Sequence, residues 1–294
     1  MFQLLKRRIL GLDPARSLRR VAEYDLDRGY DDYAAACRQA GPAPDEPANE
    51  AELRTTAEMQ MQGVSCLDVL SPAATEALRR RVVDLPVVPP RTEEIDYSDT
   101  FDVPEALVGD LVEACLPAAV AGAVGRHFGS HFFVYGCHMT RLRPGMPSKR
   151  SMLWHCDSGP TRHLKLLVYF EDSRVTGGNT AFLDRQSSDG FLEQGYTFGP
   201  VSSRRDDLGT LARRLGLRFA PQNWDVKAGQ GLLFEPARVL HRGVVPDRAP
   251  RHVFTLVLLP SPRPWTEIHA ARGRRVPVFK GQFPKSAKEL PAGT

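Results

Sequence analysis

The sequence predicts a mainly β protein with flanking helices, an α+β arrangement, and three observations carry that prediction. From residue 131 to residue 259 the chain breaks into seven short runs rich in β-branched, aromatic and aliphatic residues. Turn signals punctuate these runs: Arg143-Pro-Gly, Ser158-Gly-Pro, Gly177-Gly-Asn and Glu235-Pro-Ala. The first 130 residues instead place apolar side chains at helical spacing. Short strands joined by tight turns build an antiparallel sandwich or barrel; a parallel sheet would need helical crossovers between them.

Each element has a local reason. Residues 1 to about 80 read as helical, with Ser17 to Tyr24 and Tyr30 to Ala40 carrying apolar residues at helical intervals. Gly41-Pro-Ala-Pro-Asp-Glu-Pro is a turn or linker before the next helix. Ser71 is a capping residue with proline at the first helical position, so a helix starts there. Val103 to Phe128 reads as one or two more helices. The strands are His131–Leu142, Ser151–Asp157, Leu164–Phe170, Asn179–Leu183, Gly231–Phe234, Val239–Val245 and His252–Leu259, with a helix or insertion over Arg204–Arg218. The expected organisation is a helical region at 1–130 packed on a catalytic core at 131–262, followed by a basic tail at 263–294.

Charge and composition exclude several classes. The net charge of +4 is uneven: residues 262 to 294 carry +5 and the first 261 residues −1. A neutral body lacks the concentrated basic patch of a nucleic-acid-binding face. Arginine outnumbers lysine 32 to 7, but the arginines are scattered. The longest apolar stretch, Leu111 to Gly125, is interrupted by Glu113 and Pro117 and falls short of the ~20 residues that span a bilayer, so no membrane role is expected. Met1 to Arg20 lacks the apolar core of a secretory signal and reads as an ordinary surface helix, with an amphipathic targeting helix as the alternative. Cys37, Cys66, Cys115, Cys137 and Cys156 are odd in number and widely spaced, the pattern of reduced thiols in a cytoplasmic protein. The chain has no Gly-x-Ser-x-Gly elbow, Gly-rich phosphate loop or His-Glu-x-x-His helix.

The chemistry concentrates at Trp154-His-Cys-Asp. Alternate residues of an extended chain share a face, so His155 and Asp157 converge while Trp154 and Cys156 point into the core. With 8 histidines in the chain, chance alone supplies about half a His-x-Asp, so context must decide. His241 follows the apolar Val239-Leu240 and makes a third ligand for a 2-His-1-carboxylate site. Ten residues on, Arg251 shares a strand face with Val253 and Thr255, where a guanidinium can clamp a carboxylate; Arg248 and Lys165 compete for that role. His138, Arg141, Asn179 and Thr180 are further pocket candidates, whereas Phe133, Tyr135 and Trp154 read as core. His252 should face away from Arg251.

His-x-Asp, a distal His and an Arg ten residues later, all on short strands, resemble the iron(II)/2-oxoglutarate-dependent dioxygenases. Leu166-Leu-Val-Tyr-Phe-Glu-Asp followed by Gly177-Gly-Asn-Thr-Ala-Phe-Leu resembles the phytanoyl-CoA dioxygenase-like branch, although Asp184-Arg-Gln-Ser-Ser replaces the Pro-Gly-Ser-His often found next. The resemblance spans residues 131 to 262 and implies a double-stranded β-helix, or jelly-roll, core. It implies iron(II) on His155, Asp157 and His241, with O2 and 2-oxoglutarate as co-substrates. Arg251 would anchor 2-oxoglutarate, and His138, Thr180 and Lys165 would join it. The implied reaction is oxidation, most simply hydroxylation, of a small biosynthetic molecule with release of succinate and CO2; the halogenating relatives lack the carboxylate that Asp157 supplies. A non-catalytic metal-binding barrel and a cupin oxygenase that dispenses with 2-oxoglutarate are the alternatives, and Arg251 argues against the latter. Substrate choice is expected from loops at 44–63 and 184–222.

Overall fold

The computed structural model describes residue 12 and residues 30–41, 47–88, 98–157, 163–196 and 204–279. The expected helix at Ser17 to Tyr24, the surface helix within Met1 to Arg20 and the Lys280 to Lys288 part of the tail lie outside the described residues. Helix α1 (Tyr30–Ala40) buries Tyr30, Ala34 and Cys37, one stripe at helical spacing. Helix α2 (Glu50–Gln62) is capped by the Asn49 side chain, which accepts the Glu52 N–H, and ends at Gly63 in the left-handed region. Helix α3 (Pro72–Val82) starts where the sequence places it, with the Ser71 hydroxyl accepting from Ala74 N. Helices α4 (Glu105–Cys115) and α5 (Ala118–Phe128) divide at Leu116-Pro117, because proline cannot continue the α4 hydrogen bonding. The α4–α5 pair is bent by 78°, and among the described residues no single helix is long and apolar enough to cross a membrane.

All strand pairs are antiparallel, in two sheets. The strands in chain order are β1 (Val64–Asp68), β2 (Asp99–Thr100), β3 (His131–Leu142), β4 (Leu164–Tyr169), β5 (Thr180–Phe182), β6 (Gln222–Asn223), β7 (Gln230–Phe234), β8 (His241–Gly243) and β9 (Arg251–Ser261). Six form one sheet in the order β1-β7-β4-β9-β3-β2, and three form a second in the order β6-β5-β8. Short helices α6 (Ser173–Thr176), α7 (Arg185–Glu193), α8 (Gly209–Leu215) and α9 (Trp265–Ala271) fill the connections.

Three expectations need correction. Ser151–Asp157 is not a strand: a 3-10 turn at Arg150–Met152 leads into an extended run that pairs only by single bridges, Trp154 to Arg205 and His155 to His241. Because successive residues pair with different segments, no ladder propagates. Val239–Val245 shortens to β8, since Arg238 N and Val239 N both donate to Glu235 O in a turn. Two strands arise in the stretch before residue 131: β1, which follows α2 directly and pairs with β7, and the two-residue β2, which pairs with β3.

The large sheet is buried on both faces, which explains why β9 reads as a nearly continuous apolar run. One face packs Leu164, Leu166 and Val168 of β4 and Phe254, Leu256 and Leu258 of β9 against Leu107, Leu111, Val120 and Val124 of α4 and α5. The opposite face presents Lys165, Leu167 and Tyr169 of β4 beside Arg251, Val253 and Thr255 of β9. There Tyr169 and Val253 meet Phe182, Val226, Phe234 and Val239. The main apolar core therefore lies between sheet and helices, and the polar residues lie between the two sheets.

Strand β3 carries a bulge between Val134 and Gly136, and beside it Phe279 is held by its N–H to Cys137 O. A Cβ on Gly136 would stand 1.8 Å from the Phe279 ring. Gly136→Ala is accordingly expected to lower stability by about 1–3 kcal/mol, measured as a lower urea midpoint with an unchanged m-value.

Candidate metal centre

His155 and His241 are joined through their backbones, each N–H donating to the other's carbonyl at 3.0 Å. Their ring centroids lie 4.4 Å apart. In each ring Nδ1 lies against the carbonyl two residues earlier, Leu153 O at 2.7 Å for His155 and Val239 O at 2.9 Å for His241. A carbonyl only accepts, so each Nδ1 carries the proton and each Nε2 keeps its lone pair. Asp157, two residues beyond His155, is anchored by its N–H to Pro236 O at 2.8 Å. Its Oδ1 lies 3.4 Å from His155 Nε2 and 3.9 Å from His241 Nε2. One donor atom from each residue falls within 4.8 Å of the others. Metal bonds of ~2.1 Å at right angles would set donors about 3 Å apart, so two imidazoles and one carboxylate at this spacing suit a divalent ion.

The electrostatics prepare the same three atoms. Burial pulls both imidazoles down, His241 to about 3 with the neighbouring His155 adding to the effect, so neither competes for a proton at neutral pH. Burial opposes ionisation of Asp157, yet the Lys165 ammonium holds its carboxyl well below the usual carboxylate range. Lys165 Nζ lies 2.5 Å from Asp157 Oδ2, leaving Oδ1 turned to the histidines. Phe234 meets the His241 ring edge-on at 4.9 Å and Phe182 stacks at 6.2 Å, so this side of the centre is walled by apolar rings.

Arg251 stands deeper between the sheets and is 2% exposed. One guanidinium nitrogen donates to Asn179 O and to Val244 O, and the group lies 5.7 Å from the centre of the Tyr169 ring. Its Nε is buried without a hydrogen-bond partner, and among the described residues no carboxylate lies within ion-pair distance of it. Burial draws the guanidinium below its ordinary value. A buried donor on an unbalanced cation suits a ligand carboxylate, so this position fits the far end of a dicarboxylate such as 2-oxoglutarate.

Thr180 lies beside this position, its hydroxyl bonded to Tyr169 OH at 2.8 Å in a buried pair. His138 is near enough to Lys165 and Asp157 to feel both charges, and burial with Lys165 brings it to about 3. The structure thus brings His155, Asp157, His241, Lys165 and His138 together, with Arg251 and Thr180 at a second position. Arg248 is a surface residue bonded to Arg174 O, and Arg141 pairs with Asp99; neither reaches the centre. Asn179 contributes its carbonyl to Arg251. Trp154 and Cys156 face the apolar cluster of Leu183, Phe191 and Leu240, Phe133 and Tyr135 pack in another, and His252 turns away onto Glu171. The sequence pattern singles out neither Tyr169, whose ring lies by the Arg251 guanidinium, nor Phe182 and Phe234, which flank the His241 ring. Tyr169 was within reach, since alternation from Lys165 puts it on the same face.

No protein-family model and no curated protein matches the sequence. Solved structures do match the fold. The epimerase SnoN in complex with Fe3+, alpha ketoglutarate and nogalamycin RO is 15% identical with a TM-score of 0.51, covering 71% of this chain and 83% of that one. A second SnoN structure, described as a non-heme alpha ketoglutarate dependent epimerase from nogalamycin biosynthesis, is 16% identical with a TM-score of 0.50 over the same shares. EctD from S. alaskensis in its apoform is 20% identical with a TM-score of 0.49, covering 74% of this chain and 81% of that one. The chain shares the fold of SnoN. That likeness concerns the arrangement of sheets and helices, and the residues of the centre stand on their own geometry.

The buried histidines make stability depend on pH. An unfolded histidine takes up a proton near pH 6.5, whereas His138 and His241 refuse it in the fold until about pH 3. Stability is therefore complete above pH 6.5 and lost progressively as the pH falls toward 3. Urea midpoints of metal-free protein at pH 7 and pH 5 should differ by on the order of 2 kcal/mol per histidine, and His138→Gln should narrow the difference.

Proposed function

We propose that this protein is an iron(II)- and 2-oxoglutarate-dependent oxygenase, similar to the phytanoyl-CoA dioxygenase-like enzymes, that oxidises a small biosynthetic molecule. One observation carries the reading: two buried imidazole Nε2 atoms and one carboxylate oxygen converge within 4.8 Å, with a buried, unbalanced guanidinium on the same inner side of the sheet. His155, Asp157 and His241 would hold the metal. Arg251 would take the distal carboxylate of 2-oxoglutarate through its free Nε, with the Tyr169–Thr180 hydroxyl pair beside it, and His138 would line the pocket nearer Lys165 and Asp157. Bound iron(II), with 2-oxoglutarate and O2, supplies the oxidising power to attack an unactivated C–H bond while releasing succinate and CO2. The chain's own part is to fix the imidazole tautomers through Leu153 O and Val239 O, to keep Asp157 ionised, and to exclude water with Phe182 and Phe234.

The same reading assigns the chain a double-stranded β-helix core at 131–262, a helical region at 1–130, a basic tail at 263–294 and a place in the cytoplasm. The five thiols and the iron(II) site suit a reducing compartment alike. A cavity of about 570 Å³ lined by Leu153, Arg204, Arg205, Asp206, Asp207 and Arg214 adjoins the residue that holds the His155 ring, and is the candidate room for the substrate. Its lining comes largely from the 184–222 segment.

Anaerobic addition of iron(II) and 2-oxoglutarate should give the weak visible charge-transfer band of the chelate, and aerobic turnover should release succinate. His155→Ala should abolish both signals. Arg251→Ala should keep metal binding and raise the KM for 2-oxoglutarate at least tenfold, corresponding to a lost charge-assisted hydrogen bond of about 1.5–3 kcal/mol. A wild-type protein that shows neither band nor succinate removes this reading.

A further inference from the structure

Lys165 is paired with one of the candidate metal ligands, Asp157. It sits on β4 between Phe234 of β7 and Val257 of β9, so its backbone is fixed from both sides. Its side chain is 12% exposed, and that of Asp157 is 18% exposed. The ammonium lies 2.5 Å from Asp157 Oδ2, while Oδ1 faces the two imidazoles. The carboxylate is thus shared by a resident cation on one oxygen and the candidate metal position on the other.

With both imidazoles neutral, the chain offers a divalent ion a net charge of zero at this position; without Lys165 it would offer −1. Once the ion is present, an arriving dicarboxylate meets a charge of +2, where otherwise it would meet +1. In a poorly solvated site such differences are large, because charges a few ångströms apart interact at an effective dielectric far below that of water. The same side chain therefore weakens binding of the metal alone and strengthens binding of the anion that follows.

Building on the oxygenase reading, we infer that Lys165 couples metal and 2-oxoglutarate binding: it acts as the internal counter-ion of Asp157, so that the metal is held loosely alone and tightly only with the anionic co-substrate. Lys165 is on this account a positioning residue for the carboxylate and no ligand of either partner. By linkage, the factor by which 2-oxoglutarate tightens the metal equals the factor by which the metal tightens 2-oxoglutarate.

The test uses Mn2+ as the probe, titrated into metal-free full-length protein with and without saturating 2-oxoglutarate and followed by electron paramagnetic resonance, which reads affinity without turnover. Lys165→Met keeps the side-chain volume and removes the charge. It should bind Mn2+ alone on the order of tenfold more tightly than wild type, and the tightening produced by 2-oxoglutarate should shrink by a similar factor. Lys165→Arg should keep wild-type behaviour. If Mn2+ alone binds K165M no more tightly than wild type, or if the coupling factor is unchanged, the inference fails. Loss of 2-oxoglutarate binding with unaltered affinity for Mn2+ alone would make Lys165 a direct co-substrate ligand and also overturn it. Should K165M not fold, Lys165→Gln carries the same titration. A wild-type protein that binds no Mn2+ would defeat the oxygenase reading itself. In that event thermal melts of metal-free K165M, D157N and the double variant still measure the Lys165–Asp157 coupling, and a coupling near zero would overturn the counter-ion role independently.

Discussion

His155 and His241 exchange both of their backbone hydrogen bonds, and the rest of the candidate centre depends on that closure. His155 lies in an extended run outside any ladder, and His241 opens a three-residue strand on the small sheet. Without the reciprocal pair neither ring would have a fixed partner. With it, the Nδ1 atoms reach the carbonyls of Leu153 and Val239, and the alternation of the chain delivers Asp157 to the same side. Two backbone bonds thus determine the direction of three side chains. Sites built this way are precise because main-chain geometry, with its few allowed states, does the aligning.

The large sheet divides its residues between two different tasks. Its helix-facing side is apolar from β3 through β7 and supplies the bulk of the burial that holds the fold together. Its inner side buries Lys165, Arg251 and Thr255, an arrangement that costs free energy unless each charge finds a partner. Lys165 finds Asp157, and removing either partner would strand the other. Among the described residues Arg251 meets carbonyl oxygens and the Tyr169 ring, with Glu171 acting on it from beyond ion-pair distance, so its charge is solvated but not directly paired. The fold tolerates that cost because the opposite face is so extensively apolar.

Much of this was legible in the sequence because period-two alternation survives into the structure. The β3, β4, β7 and β9 runs announce themselves by composition, and reading Arg251, Val253 and Thr255 as one face was enough to set Arg251 inward and His252 outward. Ser71-Pro placed the start of α3, whereas Val103 to Phe128 read as one or two helices and the structure sets the break at Leu116-Pro117. Other features had no local signal. The extended run at 154–157 looks like a strand because its residues alternate, but a strand also needs one continuous neighbour, and that is a property of the fold. Strand β1 has only five residues and follows a helix without a loop, so helical periodicity absorbed it. The Lys165–Asp157 pair joins positions eight residues apart, a distance at which sequence pattern is silent.

The rigidity of Arg251 comes from its neighbour. Glu171, just after β4, accepts from both His252 N at 2.7 Å and His252 Nδ1 at 2.9 Å, and Arg79 of α3 reaches the same carboxylate at 3.3 Å. The Arg79 contact is about 40% exposed on the arginine side and so contributes little by itself. The two bonds from His252 are largely buried, and they fix both backbone and side chain of the residue that follows Arg251. Adjacent strand residues point to opposite faces, so fastening His252 to Glu171 also fixes the direction in which Arg251 leaves the sheet. The end of β4 thus holds the opening of β9 in place, and a guanidinium held there can meet a carboxylate without first losing its own side-chain freedom.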